Sequence, residues 1–255
     1  MPSPALIAQG LSFGPPPGRT ALFESVELTL TQGNLIALLG RNGAGKTTLL
    51  RVLAGFDRPI SGTVSLMDRS LPQWPIGEWA RQVAVMTTEK ASLPWWTVRE
   101  VVALGRQPHT GLSGQLRPTD EEAVDRALER TGLQDFAQRR FDRLSDGERQ
   151  TVLFARALAQ ETPFLLLDEP TAHLDFVGRK NSFARLAELA RDAHKGILLA
   201  THEVELALAH ADHLLLLDRV TGWHSGTPET LVRSGAVERV FGPLGRSAAD
   251  GYGRM

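Results

Sequence analysis

Cysteine is missing from the 255-residue chain, and neither sign of charge dominates it. The lack of cysteine excludes disulfides, thiolate metal sites and cysteine nucleophiles. The 28 basic and 29 acidic side chains give a formal net charge of −1. This balance gives no support to a protein held on nucleic acid by bulk charge. We therefore expect no nucleic-acid partner.

Long apolar runs are missing as well. The longest apolar stretches, such as residues 197–200 and 214–217, have the length of a strand, whereas a membrane span needs about 20 apolar residues. Residues 1–9 contain neither a basic segment nor a long apolar run, so they do not resemble a signal peptide. If the protein works at a membrane, we expect another chain to supply the span.

Short apolar runs alternate with helical patterns along the chain, which predicts an α/β fold with a largely parallel sheet. The runs do not alternate in polarity, as is typical of strands buried on both faces. They are residues 35–39, 83–86, 164–167, 197–200 and 214–217.

Residues from about 90 to 160 have helical rather than strand patterns. Thr97 and Glu100 have the spacing of a capping box, and so do the ends of the tetrapeptide TDEE at residues 119–122. Gly105 and Gly132 are natural helix ends. We therefore expect one domain over residues 1–255. Its α/β core comprises residues 1–88 and 161–255, and a helical subdomain over residues 89–160 interrupts it.

The stretch GRNGAGKTT at residues 40–48 follows an apolar run and precedes a helical pattern. It satisfies the G-x-x-x-x-G-K-[ST] phosphate loop, in which glycines let backbone N–H groups turn inward beside a helix N-terminus. We expect Lys46 to reach the β- and γ-phosphates of a nucleotide and the Thr47 hydroxyl to bind Mg²⁺. The candidate nucleotide-binding residues are Gly40, Asn42, Gly43, Ala44, Gly45, Lys46, Thr47 and Thr48.

The segment FLLLDEP at residues 164–170 places two carboxylates at the end of an apolar run. Ligands of open α/β sheets bind at the carboxyl ends of the strands, so these side chains are expected beside the phosphate loop. We expect Asp168 to hold Mg²⁺ and Glu169 to polarise the attacking water. The two motifs together predict an enzyme that hydrolyses a nucleoside triphosphate.

Three further stretches make the pattern more specific. They are LSDGERQ at residues 144–150, AHLD at residues 172–175, and the pair Thr201-His202 after the next apolar run. In order and spacing they resemble the signature, D-loop and switch histidine of the ABC ATPase family. The resemblance covers essentially the whole chain. It implies a P-loop NTPase (RecA-like) core with an N-terminal antiparallel β subdomain and an inserted α-helical subdomain.

The resemblance also implies roles for individual residues. His202 is expected at the γ-phosphate and attacking water of ATP, with Glu169 as its catalytic partner, and Asp175 is expected at a dimer seam. Two copies of the chain are expected to pair head to tail around two ATP molecules. The residues expected to contact the partner's ATP are Ser145, Asp146, Gly147 and Glu148.

Two positions depart from the family pattern. The glutamine usual at the end of the strand that enters the helical insert is missing, and Thr88 stands there with Glu89 beside it. Either side chain could contact Mg²⁺ or its water. Phe13 is the natural candidate for stacking on adenine, but its alternative role as a core residue fits the sequence equally well.

The helical insert indicates which group of ABC ATPases the chain resembles. Residues 97–109 and the tail at residues 235–242 resemble ATPases of importers for ferric siderophores, haem and cobalamin. The implied partners are integral-membrane permease subunits and, indirectly, a substrate-binding protein, at the cytoplasmic face of the cell's inner membrane. Candidate permease contacts are Trp95, Trp96, Arg99 and Arg106, and a solvated helix with an apolar underside fits these residues equally well. A regulatory ATPase without a transport role and the motor of an exporter remain the alternatives.

Overall fold

The computed structural model describes residues 4–15, 20–87, 93–111 and 114–243, and its strands form two sheets. The strands are β1 (Ala5–Phe13), β2 (Phe23–Thr31), β3 (Leu35–Gly40), β4 (Ser61–Leu66), β5 (Arg69–Ser70), β6 (Val83–Met86), β7 (Phe164–Asp168), β8 (Gly196–Thr201), β9 (His213–Asp218) and β10 (Gly222–Gly226).

The helices fall between these strands and after the last of them. They are α1 (Lys46–Leu53), α2 (Ile76–Trp79), α3 (Val98–Ala103), α4 (Pro118–Thr131), α5 (Asp146–Ala159), α6 (Phe176–Asp192), α7 (Val204–His210), α8 (Pro228–Arg233) and α9 (Ala236–Phe241). Short 3₁₀ turns occupy Leu71–Gln73, Leu104–Arg106, Gln134–Phe136 and Phe141–Arg143.

The smaller sheet is antiparallel and lies near the N-terminus, with strand order β2-β1-β4-β5. Residues of β2 alternate between buried and exposed over much of its length. Such alternation buries one face of the strand and leaves the other in solvent. The antiparallel β subdomain implied by the family resemblance is confirmed.

The larger sheet has the order β10-β9-β3-β8-β7-β6. Its strands are parallel apart from β10, which pairs antiparallel with β9. The five apolar runs singled out in the sequence are β3, β6, β7, β8 and β9, as predicted. Every residue of β3 and β7 is buried, because helices or the second sheet cover both faces.

Side chains of β3 belong to two different cores. Leu35, Ala37 and Leu39 join the core that includes the helical insert. Ile36 and Leu38 join the core that includes α1 and the antiparallel sheet. Because successive side chains of a strand point to opposite faces, this one strand ties the three layers together.

All described elements between β6 and β7 are helices or 3₁₀ turns, so the predicted helical insert is confirmed. The Thr97 hydroxyl accepts the N–H of Glu100 and caps α3 as expected. The capping box predicted from TDEE at residues 119–122 is wrong as the start of α4. The helix begins at Pro118, which suits the first helical position because it needs no N–H donor there.

The two glycines of the insert have different roles. Gly132 has a φ of 69° and ends α4, as predicted. Gly105 does not end α3, because the 3₁₀ turn at Leu104–Arg106 continues it. A Cβ at Gly105 would lie 2.2 Å from the carbonyl oxygen of Arg156. Gly105 is therefore needed for the close approach of this turn to α5.

The carboxyl ends of β3, β7 and β8 meet at one edge of the larger sheet. In the ladder, Leu39 is paired with Thr201, and Asp168 with Ala200. This register brings the phosphate loop, the acidic pair and the histidine of the sequence motifs together. Within the described ranges, no helix is long and apolar enough to cross a membrane.

Candidate functional site

The loop between β3 and α1 curls around its own lysine. Gly43 and Gly45 have φ values of 77° and 110°, which glycine adopts without a Cβ clash. A Cβ at Gly40 would lie 2.8 Å from the carbonyl oxygen of Leu217. Lys46 Nζ donates to the carbonyl oxygen of Gly40 over 2.9 Å. The loop is therefore a tight cradle at the start of a helix, where anions are favoured.

Remaining residues of the loop occupy different environments. Ala44 is buried and its N–H donates to the carbonyl oxygen of Arg41. Asn42 is exposed and Thr48 is half-buried in the first turn of α1. The loop thus exposes the polar Asn42 to solvent, whereas Ala44 is buried within the fold.

A hydroxyl and a carboxylate meet beside the cradle. Thr47 Oγ1 donates to Asp168 Oδ2 over 2.7 Å, and Asp168 is 2% exposed. Mg²⁺ prefers hard oxygen ligands of this kind. The residues present therefore fit a magnesium site, which the sequence predicted at Thr47 and Asp168.

Glu169 connects the cradle to the switch histidine. Its backbone has a φ of 47°, and its N–H donates to the carbonyl oxygen of Ala200 over 2.9 Å. One carboxylate oxygen, Oε1, lies 3.5 Å from Lys46 Nζ, and the other, Oε2, lies 2.8 Å from His202 Nδ1. The acid predicted to polarise water thus contacts both the phosphate-loop lysine and the histidine.

The signature segment begins α5 with a capping box. Ser145 Oγ accepts the N–H of Glu148, and the N–H of Ser145 donates to Glu148 Oε2. That backbone hydrogen bond, followed by the one from the Ser145 hydroxyl, holds the pKa of Glu148 below its ordinary value. Asp146 forms an ion pair with Arg149 at 3.3 Å.

The segment AHLD lies against the signature turn. A Cβ at Gly147 would lie 3.5 Å from the carbonyl oxygen of His173. Asp175 caps α6 by accepting the N–H of Gly178 over 2.7 Å. The structure thus brings these two motifs side by side at the N-termini of α5 and α6.

The structure alters the interpretation of two predicted contacts. Phe13 is fully buried, with its ring 5.6 Å from that of Phe23. It packs beneath Gly45 and has no exposed face on which a base could stack, so it is a core residue and not an adenine contact. Thr88, the further metal contact expected from the sequence, lies outside the described residues, as does Glu89.

The expected permease contacts also differ in how accessible they are. Arg106 is 5% exposed and pairs with Asp120 at 2.9 Å, so its place on the docking surface was wrong. Arg99 is engaged with two carboxylates of α4. Trp95 is 74% exposed, under the guanidinium of Arg140. Trp95 and the partly exposed Trp96 remain as the accessible members of this group.

Three contacts of the site were missed in the sequence. Gln150 Nε2 donates to the carbonyl oxygen of Glu169 over 3.1 Å and ties α5 to the end of β7. Glu203 approaches His202, and Arg179 approaches Glu203. The only signal in the sequence was adjacency, since Gln150 closes the signature segment and Glu203 follows the histidine.

Comparison with known proteins agrees with this geometry. Residues 23–172, more than half of the chain, match the ABC transporter family. The chain is 35% identical over 93% of its length to an ATP-binding protein of a probable siderophore transport system from Bacillus subtilis, covering 86% of that protein. It is 38% identical over 88% of its length to a hemin import ATP-binding protein from Enterobacter cloacae, again covering 86% of the relative.

A solved structure is also similar to most of the chain. It is described as a metal-chelate type ABC transporter in an inward-facing conformation. It shares 28% identity with a TM-score of 0.81, and the match covers 94% of this chain and 89% of that one.

The fold, the site and these matches define a P-loop ATPase. The chain belongs to the ABC transporter family, as an ATP-hydrolysing subunit. The predicted family and enzyme class are confirmed.

Proposed function

We propose that this chain powers an importer of a metal chelate of the siderophore, haem or cobalamin class. It binds ATP in the cradle formed by residues 40–48, with Lys46 at the phosphates. Thr47 and Asp168 would hold Mg²⁺, with Thr88 as a further contact. When bound, Mg²⁺ neutralises charge on the β- and γ-phosphate oxygens. The contact of Thr47 Oγ1 with Asp168 Oδ2 supports this pairing of oxygen donors.

Hydrolysis is assigned to Glu169 and His202. Glu169 orients and polarises the attacking water, and His202 stabilises that arrangement at the γ-phosphate. The single observation that carries the proposal is the chain of contacts from Lys46 through Glu169 to His202. It connects the phosphate-binding group, the acid and the histidine within one site at the edge of the sheet.

The second half of each ATP site comes from another copy of the chain. The residues Ser145, Asp146, Gly147 and Glu148 at the start of α5 provide backbone N–H groups and a helix N-terminus for the γ-phosphate of the partner. Asp175 lies at the seam between the copies. The adjacency of Gly147 to the carbonyl of His173 supports a common surface for both motifs.

ATP binding closes the two copies, and the helical subdomain over residues 89–160 passes this movement to the permease. Residues 1–88 and 161–255 form the α/β core that holds the nucleotide. The complex lies at the cytoplasmic face of the membrane, and a substrate-binding protein delivers the chelate from the other side. The siderophore and hemin relatives support this cargo class.

The test uses the chain with its permease in liposomes loaded with ATP and Mg²⁺. We expect uptake of an external siderophore, haem or cobalamin, delivered by the binding protein, and ATP hydrolysis in parallel. Glu169→Gln is expected to abolish both activities, whereas Glu188→Gln, on the exposed surface of α6, is expected to leave both intact. Hydrolysis without a stable permease complex would favour a regulatory ATPase, and outward flux would favour an exporter.

A further inference from the structure

The ring of His202 lies between two carboxylates rather than beside one. Its Nδ1 is 2.8 Å from Glu169 Oε2, and its Nε2 is 3.4 Å from Glu203 Oε1. The ring itself is 51% exposed, so packing against neighbouring side chains holds it only in part. Its orientation therefore depends on these two polar contacts.

Glu203 is better held than the histidine it contacts. Its side chain is 20% exposed, and its backbone N–H donates to Thr201 Oγ1 over 3.1 Å. Glu203 Oε1 also lies 3.3 Å from Arg179 Nε on α6. That nitrogen is buried and has no hydrogen bond among the described residues, so its contact with Glu203 is one of charge. Arg179 thus keeps the carboxylate at the edge of the site.

The carboxylates of Glu169 and Glu203 are expected to differ in how far they can move once ATP is bound. Glu169 must turn toward the attacking water in the proposed reaction, which weakens its hold on the ring. Glu203 has no such role and can remain beside the histidine. A carboxylate that orients an imidazole in this way fixes the ring position and the proton-bearing nitrogen for the reaction.

We propose that Glu203 and Arg179 are positioning residues for His202, with Arg179 holding Glu203 and Glu203 holding the ring. The inference rests on the proposed role of His202 in hydrolysis. It adds a connection from the histidine to α6, whose N-terminal cap is Asp175 of the proposed dimer seam. Arg179 lies one turn after that cap, so α6 carries both the residue of the proposed seam and the arginine that contacts Glu203.

The first test compares steady-state ATP hydrolysis of the full chain and its variants. Glu203→Gln and Arg179→Gln are expected to lower kcat by about 10- to 100-fold, because a misplaced catalytic group loses much of its effect. KM for ATP is expected to change less than about twofold, since neither residue belongs to the phosphate cradle. Arg179→Lys keeps the positive charge and is expected to recover much of the rate.

Glu205→Gln is the matched control, because Glu205 is an exposed carboxylate in the first turn of α7, two residues from Glu203. It is expected to hydrolyse ATP at the parental rate. Circular dichroism and thermal unfolding report whether each variant is folded. If Glu203→Gln is unfolded, Arg179→Gln and Arg179→Lys test the same proposal, because Arg179 on α6 contacts Glu203.

The second test uses the His202→Ala background. If Glu203 acts through the histidine, Glu203→Gln lowers kcat in the parental chain but not further in His202→Ala. An equal loss in both backgrounds, or an unchanged kcat for Glu203→Gln, overturns the positioning role. An unchanged kcat for His202→Ala alone overturns the catalytic role of His202, so the two failures are distinguished.

Discussion

Lys46 Nζ lies 3.5 Å from Glu169 Oε1, so the lysine expected to bind phosphate contacts the acid expected to activate water. Their side chains are 8% and 16% exposed, which places the pair largely out of solvent. The lysine also donates to the carbonyl oxygen of Gly40. Both contacts hold Lys46 in place, so we expect ATP to compete with Glu169 for its positive charge.

This competition predicts opposite effects of two substitutions on ATP binding. Glu169→Gln removes the negative charge, so ATP is expected to bind as tightly as to the parental chain or up to about fivefold more tightly. Lys46→Ala removes a charge-assisted contact and is expected to weaken binding about 10- to 100-fold. Titration with a fluorescent ATP analogue and Mg²⁺ measures both. Weaker binding by Glu169→Gln would contradict the interpretation of the ion pair.

The hydroxyl of Thr47 is predicted to determine the response to magnesium. Thr47→Val keeps the shape of the side chain but removes the oxygen that contacts Asp168. We expect about 10- to 100-fold more Mg²⁺ to be needed for half-maximal hydrolysis. Thr47→Ser keeps the hydroxyl and serves as the control. An unchanged magnesium requirement in Thr47→Val would remove Thr47 from the metal site.

The buried ion pair of Arg106 and Asp120 is predicted to stabilise the helical insert. The side chains are 6% and 3% exposed, and Arg106 also donates to the carbonyl oxygen of Ala159 on α5. Asp120→Ala leaves the guanidinium charge without this partner and is expected to cost about 3–5 kcal/mol of unfolding free energy. Glu122→Ala, which removes an exposed carboxylate of the same helix, is the control for denaturant unfolding.

The same pair predicts how stability depends on pH. A hydrogen bond from the N–H of Arg117, and then the contact with Arg106, hold the pKa of Asp120 below its ordinary value. The stability that this provides is fully present above the unfolded-state pKa, about 3.9, and is lost as pH falls through the folded pKa. Below about pH 4 the parental chain should therefore lose more stability than Asp120→Asn. Parallel pH profiles of the two proteins would contradict this.

Gly105 is predicted to be intolerant of any side chain. The added Cβ of Gly105→Ala would meet the carbonyl oxygen of Arg156 at 2.2 Å, so the 3₁₀ turn that follows α3 and α5 must separate. We expect a loss of about 1–3 kcal/mol. Gly111→Ala is the matched control, since nothing lies within 4 Å of its added Cβ. Thermal unfolding of the two variants measures the loss of stability. Equal losses in both variants would contradict the prediction.

The elements that could be predicted from sequence are those whose burial is uniform. β3, β7 and β8 are buried throughout, so their residues form continuous apolar runs. β4 and β10 do not stand out, because they begin with exposed residues or lie at a sheet edge with half-buried side chains. Their positions depend on pairing with distant strands, which no local pattern contains.

The contacts of the site also fall into two groups, those that the sequence predicts and those that it does not. The phosphate loop and the acidic pair are contiguous motifs, and the sheet register brings them together where the sequence predicted. The burial of Phe13 beneath Gly45 depends on how the antiparallel sheet packs on the loop. The contact of Arg179 with Glu203 joins α6 to the end of β8 and follows only from their packing. Such tertiary contacts have no signature in residue spacing.

The central claim is that two copies of this chain close around ATP and open after hydrolysis. The most direct measurement is light scattering of Glu169→Gln with Mg²⁺ and either ATP or ADP. The proposal predicts a dimer with ATP and a monomer with ADP, because only the γ-phosphate joins the phosphate loop to the partner's signature helix. A monomer with ATP, under conditions where bound ATP is demonstrated, would contradict the claim.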